Sequence, residues 1–445
     1  MSQALTRAEM PDATPREPFD ARARPGVDRP LRMLMPSYRS NPTTGGQGVY
    51  MRLITRALAD RGHEIDVISG QPYPVLDPRV RLVKLPSLDL YADPKPLTAL
   101  RPSKIRDWLD VKEWFLHNSG GFPEPYTFGE RMARWAQTRV NDYDIVHDNQ
   151  TLCWGLLKMH EMGMPVLGTI HHPVTRDRAI DIRHARNPFI AFLKWRWYSF
   201  LNMQIKVARE LETLIVVSKS TLRDVSEDFG IDPTRLRLCY HGIDTEQWRP
   251  MPEIERKPNR LIACASADVP LKGLIYLIRA YHQLLDRYPD LELHVIGSLR
   301  EGNTSLELER RGIMDRVKFI SGGLTDEDIA RMYAEATIAI SPSVYEGFGF
   351  PCGEAMACGA PVIATDGGSL PEVAGDAAPV VPHSNPEALA AAIADLLDNP
   401  EKRKQIGIAG REHILREFQW DRTAANLEAV YLEAIGRAHG RLRHA

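Results

Sequence analysis

The chain is predicted to be an α/β protein with one parallel sheet in each half. Short apolar strands alternate with helices from Leu31 to about Asp244, and the alternation restarts at Leu261. At 445 residues the chain is longer than one core usually serves, so two domains are expected. Glycine loops follow strands in both halves, at Gly45 and Gly46 and again at Gly347 and Gly367. Loops of that kind gather at the carboxyl edge of a parallel sheet, where α/β proteins bind ligands.

Residues 1–29 are rich in Pro, Arg, Asp and Ala and are read as a disordered tail. Leu31-Arg-Met-Leu-Met is the first strand. Pro36 to Gly48 is a glycine loop, and Val49 to Arg61 a helix whose apolar face is Val49, Leu53, Ile54, Ala57 and Leu58. Glu64 to Ser69 is the next strand. Residues 71–130 interrupt the alternation with prolines, the aromatics from Trp108 to Phe115 and a turn at Gly120. They are read either as a structural insert or as a carrier of acceptor contacts.

Asp144-Ile-Val-His and Val166-Leu-Gly-Thr-Ile are two more strands. Asp142 and Asp144 have metal-pair spacing, but they precede their strand at the amino edge, so no metal is assigned to them. His171 and His172 close the second of these strands at the carboxyl edge. Residues 187–212 interleave Phe189, Phe192, Trp195 and Trp197 with Lys194, Arg196, Lys206 and Arg209. Packing into the domain with snorkelling basic tips is favoured over contact with a membrane surface or a lipid-linked acceptor, because the basic residues are few. Thr213 to Val217 is a strand, and Arg235 to Asp244 the last strand and turn of this half. Gln247 to Pro258 is a Pro-rich, charged connector.

The second half reads as strand 261–265, helix 272–288, strand 291–296, helix 305–311, strand 317–320 and helix 326–335. Lys272 lies between the first strand and the first helix, where its ammonium can point at a diphosphate. Strand 337–340 runs into Ser341 to Glu354, and strand 361–365 into Gly367, Gly368 and Glu372. Glu346 on the loop and Glu354 in the following helix suit hydroxyls of a sugar and a ribose. The N–H groups from Gly347 to Phe350 can face a phosphate between them. Helices at 386–397, 400–417 and from about Trp420 finish the chain.

Apolar content of 43% and charged content of 26% are ordinary for a soluble protein, and the net charge of −2 gives no drive toward nucleic acid. Five scattered cysteines without a Cys-x-x-Cys pair fit a reduced compartment. No apolar run is long enough to span a bilayer, and the start lacks the apolar core of a signal peptide. A cytoplasmic location, with membrane contact through 189–209 as a further option, is the expectation.

Glu346-Gly-Phe-Gly-Phe-Pro, Glu354-Ala-Met-Ala-Cys-Gly-Ala-Pro-Val-Ile-Ala and Gly367-Gly-Ser-Leu-Pro-Glu372 together resemble the nucleotide-sugar site of the retaining family 4 glycosyltransferases. That resemblance implies the GT-B fold: two Rossmann-like domains facing a central cleft, with a C-terminal helix crossing back to the first. The expected domains are 30–248 with 419–445, and 249–418. The resemblance implies transfer of a sugar from a nucleotide diphosphate to an acceptor hydroxyl, with retention and without metal or other cofactor. It makes Glu346 and His171 the catalytic candidates. It assigns Gly45, Gly46, Lys272, Gly347, Phe348, Gly349, Phe350, Glu354, Gly367, Gly368 and Glu372 to the donor. The family places an arginine five positions before its lysine, and this chain has Ala267 there. The competing readings are a phosphorylase or epimerase on the same scaffold and a sugar-nucleotide-binding protein with little catalysis.

Overall fold

The structure is a computed structural model that describes residues 29–41, 46–101, 105–183, 185, 187–265 and 269–444. Gly45 and Ala267 lie outside them, as does most of the expected tail. Arg29 is described, and its guanidinium holds Asp144 (Nη2 to Oδ1 2.7 Å), so that residue belongs with the ordered chain.

The chain forms two compact units. The first takes the described residues up to Val217, then Leu222–Cys239 and the segment from Asp421 onward. Its strands are β1 (Arg32–Ser37), β2 (Glu64–Ser69), β3 (Arg81–Lys84), β4 (Ile145–Asn149), β5 (Val166–Ile170), β6 (Leu214–Val216) and β7 (Leu236–Leu238). They make a parallel seven-stranded sheet in the order β3-β2-β1-β4-β5-β6-β7. β4 and β5 are buried at every residue. Neither strand alternates apolar with polar residues, as expected for a sheet covered on both faces, and the one acid in them, Asp148, is buried with its carboxyl pushed up to about 7. Leu34, Ile68, Val146, Ile170 and Val216 anchor this unit's core.

The second unit takes Ser218–Thr221 and Tyr240–Trp420. Its strands are β8 (Arg260–Cys264), β9 (Glu292–Ile296), β10 (Val317–Ile320), β11 (Ile338–Ser341), β12 (Val362–Thr365) and β13 (Val380–Val381). They form a parallel sheet in the order β10-β9-β8-β11-β12-β13. Its separate core includes Ala263, Leu277, Val295, Ile340, Ile363 and Ile393. In each sheet the strand order reverses at one point, between β1 and β4 and between β8 and β11. The loops after those strands open a crevice at the carboxyl edge.

Several expectations need correction. Residues 240–248, expected in the first domain, pack with the second unit. The His241 ring stacks on Phe350 at 5.4 Å, and the Ile243 N–H donates to the Phe418 carbonyl. β3 and β13 were hidden in Pro-rich sequence. The helix expected at 272–288 runs over Leu274–Leu284, because Gly273 is left-handed (φ 63°) and ends a short 3-10 turn at Pro270–Lys272. The segment at 187–212 splits. Tyr198, Phe200 and Leu201 are buried, but helix Pro188–Trp197 has no buried residue, and Phe189 is 66% exposed. Among the described residues, no helix is long and apolar enough to cross a membrane.

Candidate active site

In the second unit the loops after β8 and β11 bring together two residues 74 positions apart. Lys272 Nζ donates to Glu346 Oε1 at 2.7 Å. The Ser343 hydroxyl donates to the same oxygen at 2.7 Å. Sequence reasoning missed Ser343, although it sits three residues before Glu346 in the loop that follows the strand. The Glu346 side chain is 13% exposed and that of Lys272 25%, so solvent reaches the pair and screens it in part.

The Glu346 loop is fixed from behind. Its carbonyl accepts from Ser369 N–H (3.0 Å) and Ser369 Oγ (3.1 Å). A Cβ on Gly368 would lie 2.3 Å from that carbonyl oxygen, and one on Gly367 would lie 2.2 Å from the Ser343 carbonyl oxygen. The two glycines are therefore needed for loop-against-loop packing, a constraint that comes from protein backbone. The Gly347 carbonyl accepts from Ser218 Oγ at 2.9 Å.

Helix Phe350–Ala357 starts behind Gly349, which is in the left-handed region (φ 94°). The N–H groups of Gly347, Phe348 and Gly349 donate to no described residue. A run of open donors at a helix start suits an anion. The rings of Phe348 and Phe350 do not join them. Phe348 is 4% exposed and packs on His241 at 5.1 Å, and Phe350 stacks on the same imidazole. Phe348 is thereby committed to packing, while Phe350 is half-buried and keeps part of its surface open.

Glu354 stands beyond the first turn of its helix, so the helix dipole does not account for it. Burial, with Asp326 adding to it, pushes its carboxyl up to about 8. It accepts no hydrogen bond from a described residue, which leaves its acceptor capacity open. Glu372 is the opposite case. Its oxygens accept from the Lys219 N–H (2.7 Å), the Ser220 N–H (2.8 Å) and the Tyr240 hydroxyl (2.8 Å). A carboxylate so engaged holds residues 219, 220 and 240 in place, a role the sequence did not indicate. Tyr240 and Ser218 gave no signal in sequence beyond a helix start and a turn.

In the first unit Gly46 opens helix Gly46–Asp60 after β1. His171 follows β5. Its Nε2 lies 2.6 Å from Asn149 Oδ1, and its ring meets Tyr50 edge-on at 4.7 Å. Asn149 donates its amide to Ser37 Oγ, so the oxygen faces the histidine and Nε2 carries the proton. His171 is thus a fixed, oriented imidazole at the carboxyl edge.

A doubly wound α/β unit with paired Lys and Glu at its switch point, open backbone N–H groups and an unsatisfied carboxyl is built for a polyhydroxylated anion. Residues 244–413 match the family model described as Glycosyl transferases group 1, and residues 44–247 match Glycosyltransferase Family 4. An MMP alpha-(1->4)-mannosyltransferase of Mycolicibacterium hassiacum is 44% identical over 416 residues, spanning 92% of this chain and 99% of that one. A D-inositol 3-phosphate glycosyltransferase of Corynebacterium glutamicum is 32% identical, over 91% and 97% of the two chains. Anabaena HepE, solved in complex with UDP and glucose, superposes with a TM-score of 0.66 at 16% identity, covering 91% of this chain and all of that one (100%). The chain belongs to the family 4 glycosyltransferases and has their two-domain, Rossmann-like GT-B fold. It is a transferase that uses a nucleotide-sugar donor.

Proposed function

We propose that this enzyme moves a mannosyl group from a nucleoside diphosphate mannose to a sugar hydroxyl, forming an α-(1→4) bond with retention. The observation that carries the site assignment is the Lys272–Glu346 pair beside the open N–H groups of Gly347 to Gly349. The sugar and the linkage come from the 44% identical mannosyltransferase, whose similarity runs along nearly the whole chain.

In this reading the diphosphate takes the Lys272 ammonium and the open N–H groups. Together they stabilise charge that grows as the bond to the sugar breaks. Glu346 accepts hydroxyls of the transferred sugar and Glu354 those of the ribose. His171, with its Nε2–H held by Asn149, is the oriented imidazole at the sugar side. The departing phosphate takes the acceptor proton on the face that the acceptor attacks, which retains configuration. Lys272 and the helix start supply the positive charge, so no metal is needed.

The test is turnover of a panel of nucleoside diphosphate sugars with a mannoside acceptor, with and without chelator. The expected result is mannose-specific transfer that chelator leaves intact, an α-anomeric product by NMR, and loss of turnover in Glu346→Ala. A β-anomeric product would refute retention. Full activity of Glu346→Ala would refute the site.

A further inference from the structure

The second unit holds a cavity of about 650 Å³ on the side of its sheet opposite the Lys272–Glu346 pair. Thr337 and Pro361 line it, and they immediately precede β11 and β12. The cavity is therefore at the amino edge, whereas Lys272 and Glu346 follow β8 and β11 at the carboxyl edge. One wall is the segment from Pro250 to Arg256, and another is helix Pro400–Glu417. A Cβ on Gly407 would lie 2.6 Å from the Gly359 carbonyl oxygen, so this glycine lets the helix close on the turn before β12. Lys404, Ile408 and Arg411 then share one face of the helix at the i, i+4, i+7 spacing, with Arg403 beside them.

Four cations line the cavity, Arg256, Arg403, Lys404 and Arg411, against one acid, Glu412. Among the described residues the three guanidiniums meet no carboxylate and donate only to main-chain carbonyls. Arg256 uses Nη1 on Ala336 (2.7 Å) and Nη2 on Gly359 (2.7 Å). Arg411 uses Nη1 on Trp248 (2.8 Å) and Ala357 (2.9 Å) and Nη2 on Thr245 (3.3 Å). Arg403 uses Nη1 alone, on the carbonyls of Leu396 and Leu397. Capping of helix ends explains these bonds, but a helix end carries only about half a negative charge. It does not explain the Nε–Nη2 edge of Arg403 or the Lys404 ammonium, which donate to no described residue. Burial holds Arg403 and Arg411 below the ordinary arginine value, as charges do when they are drawn from water without a counter-ion. An Nε–Nη2 edge is the fork that grips a phosphate with two parallel bonds. Much of the remaining lining is apolar, with Met251, Ile254, Pro361 and Ile408 in it, and a bare inorganic anion would leave that surface uncovered.

We infer that this cavity binds a phosphomonoester with an apolar body, at a site separate from that of the nucleotide-sugar donor. The phosphate takes the Arg403 fork and the Lys404 ammonium, and the apolar body lies on Met251, Ile254 and Ile408. The inference stands independently of the glycosyl-transfer reading.

The test is equilibrium dialysis of the full chain against 1-naphthyl phosphate, with 1-naphthol and inorganic phosphate as controls. The naphthyl phosphate is expected to bind roughly tenfold or more tighter than either control, because each control lacks one half of the match. Its binding should weaken as salt rises. Arg403→Gln would also remove helix caps, so two exposed positions carry the test, Lys404 and Ile408, the latter 53% exposed. Lys404→Gln and Ile408→Glu are each expected to weaken binding roughly tenfold while the melting temperature of the ligand-free protein stays put. Lys272→Ala, at the donor site, should leave binding intact. Uptake of 1-naphthol equal to that of its phosphate overturns the inference, as does the absence of any uptake of the phosphate. Binding unchanged in both Lys404→Gln and Ile408→Glu, or lost in Lys272→Ala, would put the ligand elsewhere and overturn it as well.

Discussion

Burial holds the Glu354 carboxyl at about 8, so at neutral pH it is mostly protonated before a ligand arrives. Ribose hydroxyls that donate to it would favour the charged form and pull its pKa down. Donor binding near pH 7 is therefore expected to release a fraction of a proton. Calorimetric enthalpies in buffers of different ionisation heat should reveal that release in the wild type and not in Glu354→Gln. The same group bears on stability. Its folded pKa is raised above 4.5, so the folded state binds the extra proton and stability is lost as pH rises toward 8. Glu124 and Asp148, each pushed up to about 7 by burial, act in the same direction. His147 and His241 are held down at about 3 by burial, and they add stability as pH rises to their ordinary 6.5. Above 6.5 the histidine contribution is complete and only the carboxyl loss continues. The melting midpoint should fall between pH 6.5 and 8, less steeply in Glu354→Gln. A midpoint that climbs across that interval would contradict the assignment.

The turns decide whether the site exists at all. Gly273 ends the turn that carries Lys272, and a Cβ there would lie 2.0 Å from the Pro342 carbonyl oxygen. With φ at 63° there is strain as well as collision. Gly273→Ala is expected to cost about 2 kcal/mol or more in chemical denaturation. Because the turn must shift against the strand that leads to Glu346, the donor KM should rise with it. Normal stability together with normal donor use would show that the loop yields freely. Elements of this kind were half legible in the sequence. The glycines and Glu346 announced themselves because a strand, a glycine loop and a helix have a recognisable grammar. Lys272 could be placed after its strand, and the fold then carried it to its partner. What the sequence withheld were contacts without a local signature. Glu372 looks like any acid near a glycine pair, yet three donors from residues 219, 220 and 240 claim it. Phe348 and Phe350 read as part of a binding motif, but both rings pack on His241, and Phe348 is buried there. The aromatic run at 187–212 could not show by composition where burial begins. The break falls at Tyr198, where one helix with no buried residue gives way to a packed turn.

At the level of the whole molecule, the first unit is discontinuous, and its last piece is structural. Helix Trp420–His444 contributes Asp421 onward to that unit. Its Tyr431 hydroxyl lies 2.7 Å from His147 Nδ1, while the Nε2 of the same imidazole meets Thr169 Oγ1 at 2.6 Å. Glu428 takes both Arg61 and His63, each at 2.7 Å. Ala424, Leu427 and Tyr431 are at most 1% exposed. Each large apolar side chain of this set contributes about 1.5–3 kcal/mol by burial. Removing the segment also strips a buried imidazole and a part-buried ion pair of their partners, at about 1–3 kcal/mol for each group left unsatisfied. The sum is comparable with the whole net stability of a domain, about 5–15 kcal/mol. A chain ending at Trp420 should therefore lose the first unit, while the second keeps a core of its own that the deletion does not touch. Limited proteolysis is expected to degrade residues 29–239 and to leave a resistant fragment beginning near Tyr240. The milder Tyr431→Phe should keep both units folded and lower stability by about 1–2 kcal/mol, because it orphans only one side of His147. A truncated chain that melts and resists protease like the full-length protein would mean that the first unit closes without its last helix.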